Sequence, residues 1–271
     1  MKDEIYVERK RRTVDFQMAT EHYHHFYELF YLAAGRCRVF IDHSLYHLEA
    51  GDMVLIAPMT IHHTRYGIAK ESERIALSFH EKYLVQMEKE YGGRIREEMF
   101  CGGKLSIDPG RRIYLENLFQ KIQVEQETRD GFSNLLQKGY LNELFAFLAR
   151  CGRESIQVEP TDVAEAEIQE AARYIYHHFA ELLALNEVAE RVHMTPTYFS
   201  RKFKRVTGIG YKEYLNHVRL KEAARLLLET ELSVTEIALA CGFSDGNYFG
   251  DLFKKEKGIS PRMYRKNPQI M

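Results

Sequence analysis

Two kinds of hydrophobic pattern divide this chain. Between residues 29 and 79, apolar residues gather in short β-prone runs, whereas from residue 109 onward they recur at positions i, i+3, i+4 and i+7. Short runs of this kind are typical of strands, and the second spacing is typical of amphipathic helices. The sequence therefore predicts a two-domain α+β protein with a strand-rich amino-terminal part and a helical carboxyl-terminal part.

The β-prone runs lie close together and are separated by turn residues such as Gly35, Asp42-His43 and Gly51-Asp52. They are Leu29–Leu32, Cys37–Ile41, Tyr46–Leu48, Met53–Ile56 and Arg74–Phe79. Many short strands at this spacing predict a small antiparallel barrel or jelly roll.

Two apolar stripes follow between Pro109 and Gly152, and the segment Glu127–Gly131 separates them. Each stripe has helical spacing, which predicts an antiparallel helix pair with one face packed on the barrel. The polar stretch from Arg153 that ends at Pro160 and Thr161 resembles a linker. We expect a strand-rich domain at 1–108, a helical segment at 109–152, a linker at 153–162 and a helical domain at 163–271.

A segment near the end of the chain occurs twice. The motif that begins at Tyr198-Phe199 and continues through Phe203-Lys204-Arg205 to Gly208 returns fifty positions later, from Tyr248-Phe249 to Gly258. A helical apolar face precedes each copy, and these two faces begin at Leu185 and Val234, an offset of forty-nine. The second copy is therefore expected to have one extra turn residue.

Each copy has the pattern of two short helices joined by a turn, with cations on the later helix. Thr195 and Pro196 are suited to the N-cap and first position of that helix in the first copy, and Asp245 is suited to the N-cap in the second. Gly208 and Gly258 are typical helix stops. This arrangement predicts two helix-turn-helix units whose later helices contact DNA.

A third helical pattern, from Tyr211 to about Leu228, connects the two units. A helix of roughly eighteen residues is about 27 Å long. With a turn at each end, it could hold the two reading helices near the ~34 Å that separates successive major-groove faces on one side of a duplex. The alternative is a helical bundle whose repeated aromatic residues form only a core, but core packing alone does not explain a repeated turn, cap and basic face.

The charge of the whole chain is nearly balanced, with 38 Lys and Arg against 39 Asp and Glu and a formal net charge of −1. The protein is therefore not a uniformly basic nucleic-acid binder. Positive charge is instead local, as in Arg201, Lys202, Lys204 and Arg205. Binding to DNA should depend on salt, though less steeply than for a protein that neutralises many phosphates.

The remaining composition favours a cytoplasmic protein. The chain has no apolar run long enough to span a bilayer, and the first residues lead into no apolar signal segment. Its four cysteines, at positions 37, 101, 151 and 241, are scattered and show no ligand pair. We expect small buried thiols in a reducing compartment.

From about residue 163 to residue 266, the chain resembles the AraC/XylS family of bacterial transcription regulators. The matching motifs are Leu185–Val192, Thr195–Gly208, Tyr211–Leu228 with Arg219-Leu220, Glu236-Ile237-Ala238, Gly242–Asp245, Tyr248-Phe249, Phe253–Lys255, Gly258, Pro261 and Tyr264-Arg265. The resemblance implies sequence-specific binding of promoter DNA by two helix-turn-helix units to control transcription. We expect an activator that contacts RNA polymerase, with a repressor as the alternative.

The resemblance also implies which residues face DNA. In the first reading helix, the base-facing positions of the family fall on Thr197, Ser200 and Arg201, while Lys204 and Arg205 suit the backbone. In the second helix, the DNA-facing positions fall on Gly246, Asn247, Asp251, Lys254 and Lys255. The family commonly has a basic residue where Asp251 stands. We therefore expect the first unit to carry most of the base readout and the second mainly to position the protein.

The amino-terminal part resembles the cupin barrel, which is also the sensor half of many regulators of this family. The resemblance rests on His22, His24, Glu28 and Gly35, and then on Gly51-Asp52, Pro58 and His62-His63. The even spacing of the first three predicts side chains on one strand that point into the barrel. With His63 they would form a set suited to a divalent transition metal.

Several departures from the cupin pattern leave alternatives open. Thr60 replaces the usual glycine and Tyr66 the usual final asparagine, so the fourth ligand could be His62 or His63. One interpretation is a bound metal. The other is a metal-free set that supports the pocket or contacts an effector, and we adopt it, with no cofactor assigned.

These observations predict a regulator, not an enzyme. The resemblance implies a sugar or related metabolite as effector, homodimerisation through the helical segment, and no membrane partner. The rival hypothesis is a metal-dependent cupin enzyme, an isomerase or dioxygenase, fused to a DNA-binding module.

Overall fold

The structure is a computed structural model that describes residues 5–13, 23–67, 71–91, 95–100, 103–154 and 165–266. The chain divides into two compact units, Met1–Thr161 and Asp162–Met271. This division falls near the expected linker, most of which lies outside the described residues. The finer domain boundaries stay a prediction.

The first unit contains eight strands and four helices among its described residues. The strands are β1 (Tyr6–Thr13), β2 (Tyr27–Ala34), β3 (Arg36–Ile41), β4 (Ser44–Glu49), β5 (Asp52–Ile56), β6 (His62–Arg65), β7 (Glu71–Phe79) and β8 (Lys104–Ser106). The helices are α1 (Glu81–Tyr91), α2 (Ile95–Met99), α3 (Pro109–Thr128) and α4 (Ser133–Glu154).

The strands form two antiparallel sheets. One has the order β1-β7-β2-β5-β8 and the other the order β4-β3-β6. Every pairing in them is antiparallel. The expected antiparallel β-domain is therefore confirmed, with its strands divided between two sheets as in a jelly roll.

Alternation along the strands separates two cores. On β2, Phe30 and Leu32 pack with Val39 of β3 in an apolar cluster that joins the two sheets. The neighbours Leu29 and Tyr31 point to the opposite face and pack with residues of α3 and α4. Because successive side chains of a strand point to opposite faces, one buried strand supplies both cores.

The predicted helix pair is present as α3 and α4, which pack on each other and on the larger sheet. The apolar stripes contribute Phe119 from α3 and Leu141 and Phe145 from α4, all of them buried. Asp108 caps α3 by accepting a hydrogen bond from the Gly110 amide, and Arg129 ends the helix in a left-handed conformation. The break between the helices therefore lies where the sequence predicts it.

The second unit is entirely helical within its described residues. Its helices are α5 (Ala166–His178), α6 (Leu185–Arg191), α7 (Pro196–Thr207), α8 (Tyr211–Glu229), α9 (Val234–Ala240), α10 (Gly246–Lys257) and α11 (Pro261–Lys266). None of the helices among the described residues of either unit is long and apolar enough to cross a membrane.

The long helix α8 contributes to both halves of this unit. Near its start, Tyr214 stacks edge-on against Phe203 of α7, with ring centroids 5.3 Å apart. Toward its end, Leu220 and Leu227 pack with Phe249 of α10 and other residues of the second helix-turn-helix. The connecting helix α8 is therefore part of the core of both helix-turn-helix motifs.

Arg219 lies between the two halves. Its Nε donates to the Phe179 carbonyl at 2.8 Å and its Nη2 to the Glu181 carbonyl at 2.9 Å. The guanidinium also lies over the Phe243 ring, 5.6 Å from the centroid. Burial lowers the pKa of this guanidinium, against the charges of neighbouring tyrosine and cysteine side chains. Arg219 thus joins the loop before α6 to the turn of the second helix-turn-helix.

Candidate functional site

The first helix-turn-helix consists of α6 and α7. Thr195 is the N-cap of α7, its hydroxyl accepting from the Tyr198 amide at 3.4 Å, and Pro196 occupies the first helical position. Gly208 ends the helix in a left-handed conformation. Phe199 and Phe203 are fully buried, so the opposite face of α7 points outward.

The outward face of α7 carries the residues predicted to contact DNA. Thr197, Arg201, Lys204 and Arg205 are exposed, and Ser200 is partly buried. Lys202 belongs to the other side of the helix, because its ammonium contacts Glu167 of α5 at 3.2 Å and its side chain is buried. The local positive charge expected from the sequence therefore comes from three of these four cations.

The second helix-turn-helix consists of α9 and α10. Ser233 and Glu236 form a capping box at the start of α9. The Asp245 carboxylate caps α10 by accepting from the Asn247 amide at 2.8 Å and the Tyr248 amide at 3.3 Å. Both N-caps predicted for the reading helices, Thr195 and Asp245, are therefore confirmed.

The exposed face of α10 is weaker in positive charge than that of α7. The predicted DNA-facing residues Gly246, Asn247, Asp251, Lys254 and Lys255 are all exposed. The two lysines lie in the last turn, while the only charged side chain in the middle of this face is Asp251. Direct contact of these residues with bases or phosphates stays a prediction.

The two turns differ by the one residue that the sequence predicts. Four residues, 192–195, separate α6 from α7, and five residues, 241–245, separate α9 from α10. His193 and Gly242 occupy matching places and both have positive φ angles, 54° and 80°. A Cβ on Gly242 would lie 2.7 Å from the Ala180 carbonyl oxygen, so this turn packs directly on the loop after α5.

Contacts from α8 fix the position of α10, and the sequence analysis did not predict them. The Asn216 amide donates to the Tyr248 hydroxyl at 3.1 Å, and the buried His217 ring contacts the Glu256 carboxylate at 3.2 Å. Burial lowers the pKa of the adjacent Lys257 to about 8, with a contribution from Lys221 and opposition from Glu256. The signal that could have revealed these contacts was the presence of polar residues on the buried face of α8.

In the first unit, His24, Glu28 and His62 come together. One ligand atom from each lies within 4.8 Å of the others. His24 Nε2 is 3.5 Å from a Glu28 oxygen, and the His24 and His62 rings are 5.0 Å apart. Arg74 approaches Glu28 from the neighbouring strand at 3.8 Å and binds Glu8 at 3.0 Å.

Backbone carbonyls orient both histidine rings. The Nδ1 of His24 donates to the Phe26 carbonyl at 2.7 Å, and that of His62 donates to the Thr60 carbonyl at 3.1 Å. Nε2 of His24, on the other side of its ring, is buried and faces the Glu28 carboxylate at 3.5 Å, without a short hydrogen bond. Burial opposes ionisation of Glu28, but the close approach of the His24 ring and the nearby His62 and Arg74 side chains outweigh it and lower the pKa of this carboxyl.

Of the predicted ligand set, the structure brings His24 and Glu28 together with His62, the alternative to His63. His22 lies outside the described residues. His24 precedes β2, which begins at Tyr27, so only Glu28 projects from the strand. His62 joins the cluster instead of His63, because His62 pairs with Ile41 while His63 pairs with Phe40, and neighbours on a strand face opposite sides.

Comparison with known families accounts for both units. The model described as the AraC-like ligand binding domain matches residues 4–145, and the model described as the helix-turn-helix domain matches residues 188–267. The first match alone covers more than half of the chain. The protein belongs to the AraC family.

Individual AraC-family proteins match parts of the chain. YijO, an uncharacterised HTH-type regulator of Escherichia coli K12, is 39% identical over 110 residues, which is 41% of this chain and 39% of YijO. The HTH-type transcriptional activator RhaS of Escherichia coli O139:H28 is 32% identical over 147 residues, which is 54% of this chain and 53% of RhaS. The matches thus span about half or less of these relatives.

A solved structure gives a similar match. The C-terminal domain of AraT, a response regulator from Geobacillus stearothermophilus, is 38% identical, and the match covers 39% of this chain and 88% of that domain with a TM-score of 0.38.

Proposed function

We propose that this AraC-family protein is an effector-responsive transcription regulator that binds specific promoter DNA. The observation that carries the proposal is the pair of reading helices, α7 and α10, each capped, each with an exposed polar face, and both packed on α8. A helix with exposed cations at the end of a helix-turn-helix is the element that enters a major groove. RhaS and YijO, which are named as regulators, support the proposal.

The length of α8 suits the simultaneous use of both reading helices. Its 19 residues extend about 28 Å. Successive major-groove faces on one side of a duplex are ~34 Å apart. One protein chain would therefore place α7 and α10 in neighbouring grooves and read two half-sites.

The two helix-turn-helix motifs would contribute differently to the recognition of DNA. Arg201 on α7 has a planar fork that suits the O6 and N7 acceptors of guanine. On α10, Gly246 and Gly250 have no side chain to reach a base, and Asp251 repels phosphates. We therefore assign most base readout to α7 and mainly a positioning role to α10.

Selection of bound DNA from a random pool tests both the function and this assignment. We expect a motif of two half-sites about ten base pairs apart. Arg201→Ala should lose discrimination in one half-site, a cost of ~1–3 kcal/mol, whereas Asn247→Ala should largely keep the motif. Lys138→Ala, which removes an exposed cation from α4, is the control for net charge. If no DNA is enriched, the proposed function is wrong, and if only Asn247→Ala abolishes discrimination, the assignment is reversed.

The proposed effector site lies in the first unit, beside the apolar cluster that joins the two sheets. Glu28, His62 and Arg74 supply acceptors and donors beside the apolar cluster of Phe30 and Val39. A few directed polar groups next to an apolar wall suit a small polar metabolite such as a sugar. Such an effector regulates DNA binding only if it binds one arrangement of the protein better than another.

The cluster of His24, Glu28 and His62 also fits a divalent transition metal. His24, Glu28 and His62 would hold the ion through two imidazole nitrogens and a carboxylate, the donor set that catalytic zinc and related ions use. A bound ion supplies Lewis acidity to an oxygen ligand. This fit is the observation that keeps the rival function, a cupin isomerase or dioxygenase, under test.

Metal analysis of protein purified without a histidine tag separates these functions. The regulator hypothesis predicts that the purified protein contains less than one metal ion per chain. It also predicts that an effector metabolite raises the melting temperature and that Glu28→Gln abolishes this increase. Stoichiometric metal that His24→Ala removes, together with metal-dependent turnover of a sugar lost in Glu28→Gln, would favour the enzyme.

We propose homodimerisation through the helical pair. Val124 on α3 and Phe132, Leu135 and Leu136 at the start of α4 are exposed, the two most exposed at 69%. These four residues lie at the end of the pair where α3 meets α4, and we call them the apolar end. Exposed apolar side chains that cluster in this way favour a protein interface.

The regulator would act in the cytoplasm as an activator and contact RNA polymerase at its promoter. The support for activation is the similarity to RhaS, which is named an activator. A promoter fused to a reporter gene tests the sign of regulation, because deletion of this protein should lower expression. Higher expression in the deletion strain would identify a repressor.

A further inference from the structure

A cavity lies in the first unit, away from the cluster of His24, Glu28 and His62. It has a volume of about 190 Å³ and lies between the edge strand β1, its neighbour β7 and helix α3. Since a water occupies about 30 Å³ in the liquid, the cavity equals about six waters. This size suits a small metabolite.

One wall of this cavity is apolar. Val7 of β1, Ile75 of β7 and Phe119 of α3 line it, and all three side chains are buried. These residues belong to the core on the helix side of the sheet. A ligand here would therefore place an apolar portion against an existing hydrophobic core, where burial of apolar surface is favourable.

The other side of the cavity carries one cation and one anion. The Arg9 guanidinium and the Glu116 carboxylate approach each other with an Nη2–Oε2 distance of 3.6 Å. Gln120 and Gln123 of α3 add amide groups, which both donate and accept hydrogen bonds. The lining is neutral in total but strongly dipolar.

The hydrogen-bonding capacity of Arg9 and Glu116 is only partly used within the protein. Arg9 Nε binds Glu73 at 3.0 Å, but the 3.6 Å separation from Glu116 exceeds a hydrogen bond. The Tyr31 hydroxyl meets the other Glu116 oxygen at a long 3.4 Å. Burial and the Glu116 charge raise the pKa of Tyr31 to about 12, so its hydroxyl remains a donor. A ligand can therefore insert between Arg9 and Glu116 without breaking a short bond.

We propose that this cavity binds a small zwitterion, an α-amino acid with an apolar side chain. Its carboxylate would pair with Arg9, its ammonium with Glu116, and its side chain would contact Ile75 and Phe119. Glu116 would repel a simple anion, and Arg9 a simple cation. A hydrocarbon would bury both charges without a partner, which is costly.

Binding at this place would brace α3 against the sheet. The Val7 amide already donates to Gln126 Oε1 of α3 at 2.7 Å, one turn beyond the cavity. A zwitterion that pairs with both Arg9 of β1 and Glu116 of α3 would add a further link between the same two elements, beside the long Arg9–Glu116 contact. The site would thus stabilise the helical pair independently of any effector between the sheets.

Calorimetric titration of the full chain with L-leucine is the test. We expect saturable binding with one leucine per chain. Leucinamide lacks the carboxylate and N-acetylleucine lacks the ammonium, so each should bind at least tenfold more weakly, because each loses a charge-assisted hydrogen bond. Absence of leucine binding, or equal binding of all three compounds, would overturn the proposal without the need for any variant.

Protein variants locate the binding. Glu116→Gln and Arg9→Gln should each weaken leucine binding at least tenfold. Arg11→Gln is the matched control, because Arg11 shares the Glu73 partner but is 80% exposed and does not line the cavity. Weakening by Arg11→Gln equal to that by Arg9→Gln, or loss in His24→Ala with no effect of Glu116→Gln, would place the binding elsewhere. DNA selection is independent of these outcomes, so failure here leaves the proposed function standing.

Discussion

The turns of the two helix-turn-helix units contain matching residues in a left-handed conformation, but only one of them is glycine. Gly242 is packed so closely that an added Cβ would lie 2.7 Å from the Ala180 carbonyl oxygen. His193 is exposed and tolerates its φ of 54° at a cost that any L-residue pays there. The second turn is therefore sterically constrained, and the first is strained only in its own backbone.

This difference predicts effects of different size for substitutions at the two positions. Gly242→Ala should lower the free energy of unfolding by more than about 1 kcal/mol, because backbone strain and the contact with Ala180 add. His193→Gly should change stability only slightly, since relief of strain offsets the greater freedom of the unfolded chain. Urea unfolding of both variants measures the difference, and a tolerated Gly242→Ala would contradict the close packing.

Lys257 makes stability depend on pH. Its pKa is about 8 in the folded protein against 10.5 in the unfolded chain, so the unfolded state binds more protons between these values and stability rises with pH there. At pH 7 the buried charge is a cost, which Lys257→Met removes. Because the side chain is partly exposed, we expect a gain of on the order of 1–2 kcal/mol.

The gain from Lys257→Met should shrink as pH rises from about 8 toward 10.5, because the wild-type lysine then loses its charge. Urea unfolding at pH 7 and near pH 10 measures it. Lys255→Met, at an exposed position of the same helix, is the control and should change little at either pH. A gain that is the same at both pH values would show that charge is not its origin.

At the level of single residues, the helix caps of the second unit were easier to predict than the members of the cluster of His24, Glu28 and His62. Helix caps such as Thr195 and Asp245 are local, so they are recognisable from neighbouring residues. The choice between His62 and His63 depends instead on the pairing of β6 with β3, which no local pattern reveals. The position of His24 depends likewise on where β2 begins.

Among the elements, the helix pair of α3 and α4 was recognisable because its apolar stripes follow the helical period. Strand β1 was not, since most of its residues are charged and its apolar residues are few. Helix α1 buries only Tyr83, Leu84 and Met87, so its pattern is short and weak. Elements at the edge of a core carry little of the periodic signal that sequence analysis uses.

The apolar end of the helix pair gives a prediction about assembly. Leu135→Glu places a charge on this surface and should shift the protein from dimer to monomer in light scattering at micromolar concentration, because a buried unpaired carboxylate is costly. Leu182→Glu is the control, since Leu182 is 94% exposed in the second unit. A wild-type protein that is already monomeric, with and without effector, would contradict the proposed dimer.

For the whole molecule, the fixed length of α8 predicts a strict operator geometry. Insertion of about five base pairs between the half-sites rotates one of them by half a helical turn, so α7 and α10 can no longer face both grooves together. We expect binding to fall to the level of one half-site. Insertion of about ten base pairs should not restore it, because the reach of one chain is then exceeded.

Gel-shift titration with these spaced sites measures the effect. A synthetic site with the natural interval but scrambled bases between the half-sites is the control and should bind normally. Equal affinity at every interval would mean that the two helix-turn-helix motifs bind DNA independently. This would contradict a rigid connection through the core that they share with α8.

The acid on the second reading helix has a consequence for how such a protein finds its promoter. A genome offers on the order of 10⁶–10⁹ competing sequences, and occupancy depends on the ratio between target and random affinity. Asp251 lies exposed on α10 and repels every phosphate chain alike. Under the proposed function, each unproductive stop on chromosomal DNA would be shorter, and a small number of molecules per cell would search more of the chromosome in the same time.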